Sequence, residues 1–139
     1  MRVLFDTNIL LDVILARVPF VTDAAMIWQA NDARQIAGHI TATSITDVYY
    51  IVRKQAGIEK ARDAVRICLK AFDICEVNRH TLEVAEALAE HDFEDDLQQA
   101  CALLYALDAI VTRDEEGFKA SRVPAVTPSE MLAQLGISS

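Results

Sequence analysis

The stretch Arg2-Val3-Leu4-Phe5-Asp6-Thr7-Asn8, followed at once by Ile9-Leu10-Leu11, decides how this chain is read. Three consecutive large apolar residues run into an aspartate with no alternation between them. A short apolar run of that kind suits a strand buried on both faces, as in a parallel sheet. Asp6 then falls at the strand's C-terminal end, where open α/β sheets bind ligands. Ile9-Leu10-Leu11, with Asp12, Val13 and Ile14 after it, reads as the start of a helix. From this stretch alone, Asp6 is either the cap of that helix or one wall of an active site.

Composition sets the bounds. A chain of 139 residues, 53% of them hydrophobic, is expected to form one domain over 1–139 with a substantial core. No apolar run approaches the length of a membrane span, and the chain opens on the first strand with no room for a signal peptide. Cys68, Cys75 and Cys101 lack metal-ligand spacing and cannot all pair within the chain. They read as reduced, buried thiols of a cytoplasmic protein. His39, His80 and His91 are scattered singly and give little support to a histidine metal site.

The net charge of −8 is unevenly spread: Arg53 to Arg79 holds seven basic and four acidic residues, whereas His80 to Glu116 holds eleven acids and only Arg113. The bland reading is two solvated faces. The sharper one is an acidic site with a basic surface that holds a polyanion.

Further along, a helix is expected from about Val21, with Val21, Ala24, Ala25 and Trp28 on one face and Gly38 as its stop. His39 to Thr43 reads as a second strand. Ser44-Ile45-Thr46-Asp47 has the form of a capping box, a hydroxyl with a carboxylate three residues on. Gly57 separates that helix from the next, whose apolar positions are Ile58, Ala61, Val65, Cys68, Leu69 and Phe72. Ile74 to Val77 suits a third strand, and Arg79 to Glu90 a helix with Leu82, Ala85, Leu88 and Ala89 inward. Asp92-Phe93-Glu94-Asp95-Asp96 carries four acids into another helix, where the dipole favours them. Asp108 to Thr112 is a fourth strand ending in Arg113-Asp114, Val126 belongs to a fifth, and Pro128-Ser129-Glu130 opens a final helix. Strands separated by helices imply a mainly parallel sheet of α/β class covered on both faces.

In such a sheet, strand C-termini and the N-termini of the following helices share one edge. The topology therefore allows Asp6, Asp47, Asp95 and Asp114 to converge there, with Asp92, Glu94 and Asp96 nearby. Each acid alone reads equally as a cap: Asp47 with Ser44, Asp92 before its helix, Asp114 after the fourth strand. Caps leave the number of acids at one edge unexplained. Clustered like charges must be relieved by protons or a cation, and oxygen ligands favour Mg²⁺ or Mn²⁺ over zinc. Such a cation can activate water and stabilise the leaving oxygen of a phosphodiester.

Leu4-Phe5-Asp6-Thr7-Asn8, Ile45 to Tyr50, Asp92-Phe93-Glu94-Asp95 and Ile110-Val111-Thr112-Arg113-Asp114 resemble, in order, the motifs of PIN-domain proteins. These include the ribonuclease toxins of bacterial VapC-type toxin–antitoxin pairs. The resemblance implies a parallel sheet of about five strands between helices and Mg²⁺- or Mn²⁺-dependent cleavage of RNA. It makes Asp6, Asp95 and Asp114 the metal-holding acids, with Asp47, where the family usually has glutamate, as fourth ligand or base. Asp96 stands where the family has a small residue, so Asp95 and Asp96 both remain open as the third acid. Asn8 and Thr112 resemble polar supports, and Asp92 is a further one. Lys54, Arg62, Arg66, Lys70 and Arg113 are candidates for phosphate contact. A homodimer and a cognate antitoxin are the partners implied. Two other readings stand beside it: a non-catalytic PIN-like module that binds nucleic acid or protein, and a doubly wound phosphoacceptor or phosphatase with Asp6 as nucleophile. The last requires a lysine near the late strands, where only Lys119 is found.

Overall fold

A computed structural model describes residues 1–90 and 92–138; His91, one of the three single histidines, lies outside the described residues. Five strands, β1 (Arg2–Phe5), β2 (Ala37–Thr41), β3 (Asp73–Cys75), β4 (Ala109–Val111) and β5 (Ala125–Val126), form one sheet in the order β3-β2-β1-β4-β5. Every neighbouring pair is parallel. The α/β class and five-stranded parallel sheet expected from the sequence are the observed fold.

The described residues form seven α-helices, six between strands and the last after β5: α1 (Thr7–Ile14), α2 (Val21–Asp32), α3 (Ala42–Ala56), α4 (Ile58–Ala71), α5 (Arg79–Leu88), α6 (Phe93–Leu104) and α7 (Pro128–Gln134). The pleat of β1 explains why its apolar run does not alternate. Val3 and Phe5 pack into a core with Ile9, Ile27, Val48, Ala61 and Met131, from α1, α2, α3, α4 and α7. Leu4 points the other way, into a core with Cys75, Cys101 and Phe118 on the side of α6. Ile110 follows Leu4, while Ala109 and Val111 follow Val3 and Phe5. Burial on both faces requires apolar side chains at every position, which is the pattern that marks a central parallel strand.

Four local expectations are corrected. Gly38 does not stop α2, which ends at Asp32; it lies inside β2, where a Cβ would meet Asn31 Oδ1 at 2.7 Å and Phe72 Cδ1 at 2.8 Å. The glycine is there for close approach. The cap of α3 is Thr41, whose Oγ1 accepts the Ser44 N–H at 3.1 Å, so Ser44 and Asp47 form no capping box. The third strand is Asp73–Cys75, a residue earlier than expected and shorter, because it follows the register of β2. On α5, Leu82 is 42% exposed while Thr81 and Ala85 are buried, and on α4 Ile58 and Leu69 lie outside the core. Gly57, by contrast, does separate α3 from α4, with φ +95°, a conformation side chains rarely adopt.

The three thiols are buried and unpaired, and burial pushes Cys68 and Cys75 up to about 12, which keeps them unreactive. No helix among the described residues is long and apolar enough to cross a membrane.

Candidate active site

The C-terminal edge of the sheet carries a cleft of about 350 Å³ lined by Asp6, Thr7, Asn8, Leu11, Asp47, Ile51, Asp92, Glu94, Asp95, Gln98 and Asp114. Six carboxylates therefore face one small space, from four separate parts of the chain.

Asp6 follows β1 and precedes α1, yet its side chain makes no cap bond. Its carboxylate is buried and accepts two hydrogen bonds instead: Gln98 Nε2 donates to Oδ1 at 2.9 Å and Thr112 Oγ1 donates to Oδ2 at 2.7 Å. Its backbone N–H donates to Val111 O at 2.9 Å, which extends the β1–β4 ladder by one step. Of the two readings open from the sequence, the side-chain cap is the one the geometry excludes.

Asp114 is tied to the same hydroxyl. Its backbone N–H donates to Thr112 Oγ1 at 2.9 Å, and its own Oδ1 accepts the Gly117 N–H at 3.1 Å. Thr112 is fully buried and thus links Asp6 to Asp114 through one oxygen. Asp92 does cap its helix: Oδ1 accepts the N–H groups of Glu94 at 2.8 Å and Asp95 at 3.2 Å. This fixes the first turn of α6, so that Asp95 faces the cleft while Asp96 is buried beside it and absent from the lining.

Asp47 sits in the second turn of α3, free of any capping duty. A buried hydroxyl chain sets its helix against α1: Thr7 Oγ1 lies 2.7 Å from Ser44 Oγ, which lies 3.0 Å from Thr41 Oγ1.

The electrostatics follow from the crowding. A hydrogen bond to Asp47, then burial, then the charges of Asp47, Asp92 and Asp6 push the Glu94 carboxyl up to about 8. Burial first, and then Asp92, Asp6, Asp114 and Asp96, push Asp95 up to about 6. In both acids the charged form is disfavoured, for Glu94 first by its hydrogen bond with Asp47 and for Asp95 first by burial, with the neighbouring negative charges adding to each.

No three acids, histidines or cysteines among the described residues stand close enough to make a ready-made metal cage. Two features nonetheless fit a hard cation in the cleft. Carboxylates dominate the lining, and Gln98, which also lines the cleft, has a buried Oε1 with no hydrogen-bond partner. The space above Gly117 is kept clear of a Cβ, which would lie 2.7 Å from Asp114 Oδ2 and 2.8 Å from Asp95 Oδ2.

Of the basic candidates, Lys54 is exposed at the end of α3 and Arg62 lies over the Tyr49 ring at 5.6 Å. Arg66 pairs with Asp63 at 2.9 Å. Lys70 lines a different, polar cavity with Met1, Arg2, Gly38 and Asp73, at the opposite edge of the sheet, because α4 runs toward the start of β3. Arg113 is engaged elsewhere: Asp12, fully buried, receives its Nε at 2.7 Å and its Nη2 at 3.2 Å, and the guanidinium stacks on Phe20 at 3.9 Å. Arg17 adds a longer contact to Asp12 at 3.8 Å.

Sequence reasoning gave no site role to Gln98, Thr7 and Asp12, and took Ser44 for a helix cap. Gln98 lies one turn after Asp95 on the same helix face, and Asp12 interrupts an apolar helix, so spacing and context carried weak signals for both.

The chain belongs to the PIN domain family, whose model matches residues 2–116. Solved structures share the fold. VapC20 of Mycobacterium tuberculosis, described as a sarcin–ricin loop cleaving toxin, superposes with TM-score 0.71 at 14% identity, covering 85% of this chain and 94% of that one. A toxin–antitoxin complex from Klebsiella pneumoniae gives 0.68 at 26% identity, covering 91% and 97%. VapBC2 from Rickettsia felis, bound to a DNA fragment from its promoter, gives 0.69 at 15% identity, covering 91% and 98%. No curated protein matches the chain.

Proposed function

We propose that this PIN domain is a metal-dependent endoribonuclease that hydrolyses RNA phosphodiester bonds and acts as the toxin of a VapBC-type pair. The observation that carries the reading is the meeting of Asp6, Asp47, Asp95 and Asp114 in one cleft at the C-terminal edge of the sheet. Asp6, Asp95 and Asp114 hold Mg²⁺ or Mn²⁺, with Asp47 as the fourth acid. The cation supplies an activated water and stabilisation of the leaving oxygen. Thr112 and Gln98 orient Asp6, Asp92 sets the helix turn that presents Asp95, and Asn8 contributes a polar group at the rim. Lys54 and Arg62 contact the phosphates of the substrate, whereas Lys70 and Arg113 are left out of that surface on their positions. The toxin is cytoplasmic and homodimeric, and its antitoxin or second copy covers exposed apolar side chains such as Ile58, Ile67 and Leu69 of α4.

The test is cleavage of single-stranded RNA by purified protein with Mn²⁺ or Mg²⁺, against EDTA, for wild type and Asp6→Asn. Cleavage with metal that stops on chelation, and that the variant lacks, supports the proposal. Undiminished cleavage in EDTA would sink the metal mechanism. RNA that is bound but never cut under any divalent cation would leave the non-catalytic binding module as the better reading.

A further inference from the structure

Gly117 lies in a 3₁₀ turn (Glu116–Phe118) just after Asp114, and no backbone reason for a glycine exists there. The glycines with positive φ are Gly57 and Gly136; Gly117 is not among them, so any residue could adopt its conformation. Glycine is also a poor choice within a helical turn, where it loses more conformational freedom on folding than alanine. The missing side chain is therefore explained by the space it vacates. A Cβ on Gly117 would lie 2.7 Å from Asp114 Oδ2, 3.2 Å from Asp114 Cγ and 2.8 Å from Asp95 Oδ2. Meanwhile the Gly117 N–H holds the other oxygen of Asp114, Oδ1, at 3.1 Å. One residue thus anchors one carboxylate oxygen and leaves room for its twin to stand beside an oxygen from α6. Gln98, whose buried Oε1 has no hydrogen-bond partner, lines the same cleft, a second sign that an electropositive group belongs there.

We propose that Gly117 is a positioning residue whose missing side chain lets Asp95 and Asp114 share one divalent cation. The inference rests on the reading of the cleft as a cation site and adds a residue with no ligand atom of its own. The atoms a Cβ would strike are the ends of two flexible carboxylates and belong to no backbone. Alanine can therefore be accommodated by swinging one acid aside, leaving the fold intact and the pair separated.

The experiment compares wild type with Gly117→Ala in two measurements, Mn²⁺ titration followed by the electron-spin resonance of free Mn²⁺, and thermal melts in EDTA and in Mn²⁺. In EDTA the two proteins should melt within a degree or two of each other. In Mn²⁺ the variant should bind at least about tenfold more weakly, the scale seen when a group that orients metal ligands is lost, and should lose most of the wild-type gain in melting temperature. Equal Mn²⁺ affinity of the two proteins would overturn the inference while leaving the cation site standing. A variant that unfolds, or melts far below wild type in EDTA, would also overturn it by placing the glycine's role in packing. Wild type that binds no Mn²⁺ would defeat the cation reading itself, and this inference with it.

Discussion

Thr112→Val is the sharpest test of how the cleft is held together. The hydroxyl of Thr112 is fully buried, donates to Asp6 Oδ2 at 2.7 Å and accepts the Asp114 N–H at 2.9 Å. Valine keeps the shape and removes both bonds. A hydrogen bond to a charged group contributes about 1.5–3 kcal/mol and a neutral one about 0.5–1.5 kcal/mol. The methyl that replaces the hydroxyl returns about 0.8 kcal/mol of apolar burial. The net loss should be about 1–4 kcal/mol, or roughly 4–13 °C in melting temperature for a domain of this size. Thr112→Ser keeps the hydroxyl and loses only the methyl, so it should be destabilised by about 1 kcal/mol. Urea denaturation of the three proteins in EDTA at neutral pH measures both differences. The hydroxyl reading demands that the valine variant be the less stable of the two. If serine proves worse than valine, Thr112 serves the core through its methyl group and the link between Asp6 and Asp114 carries little energy.

Three further outcomes are expected. Asp95 is raised to about 6 and Glu94 to about 8, so between about pH 4 and 8 the folded chain holds more protons than the unfolded one and metal-free stability falls as pH rises; melts in EDTA should be lower at pH 8.5 than at pH 5, and a rise over that window would contradict the crowding of acids. Charge reversal at Lys54 and Arg62 should weaken RNA binding and flatten its salt dependence by about one unit of log–log slope per lost phosphate contact, whereas Lys70→Glu, at the other edge of the sheet, should leave both unchanged; an equal effect from Lys70 would move the polyanion surface. Gly38→Ala should destabilise the chain by about 1–3 kcal/mol through overpacking against Asn31 and Phe72, without altering the gain from Mn²⁺; a neutral result in urea would mean that the strand relaxes away from α2.

The sheet was legible in the sequence because burial on both faces writes itself as uninterrupted apolar runs, as in Val3-Leu4-Phe5 and Ala109-Ile110-Val111. The meeting of acids at one edge was legible for Asp6 and Asp114, which follow strands, and for Asp95, in the first turn of α6, whereas Asp47 lies one turn deeper in its helix than its supposed cap implied. Local signals failed where two readings share one pattern. A glycine after a helix looks like a stop whether it ends the helix or lets the next strand pass close by, as Gly38 does. Thr41, Ser44 and Asp47 are spaced by three, so either hydroxyl could head a helix; only the end of β2 selects Thr41. Arg113 looked free because its partner, Asp12, stands 101 residues earlier. Leu82 sits on an amphipathic helix whose buried face is carried by the smaller Thr81 and Ala85, and it is itself 42% exposed.

The bond between Thr112 and Asp6 spans 106 residues, and β4 is laid against β1 only after the two intervening strands and six helices have been made. Domains are built from the N-terminus as the ribosome moves. A nascent chain therefore displays Asp6 106 residues before the Thr112 hydroxyl that orients it, with Asp114 following two residues later. A chain cut short before β4 has neither. Until β4 and the turn after it are made the acid cluster is incomplete, so any shorter stretch of the nascent chain lacks the site.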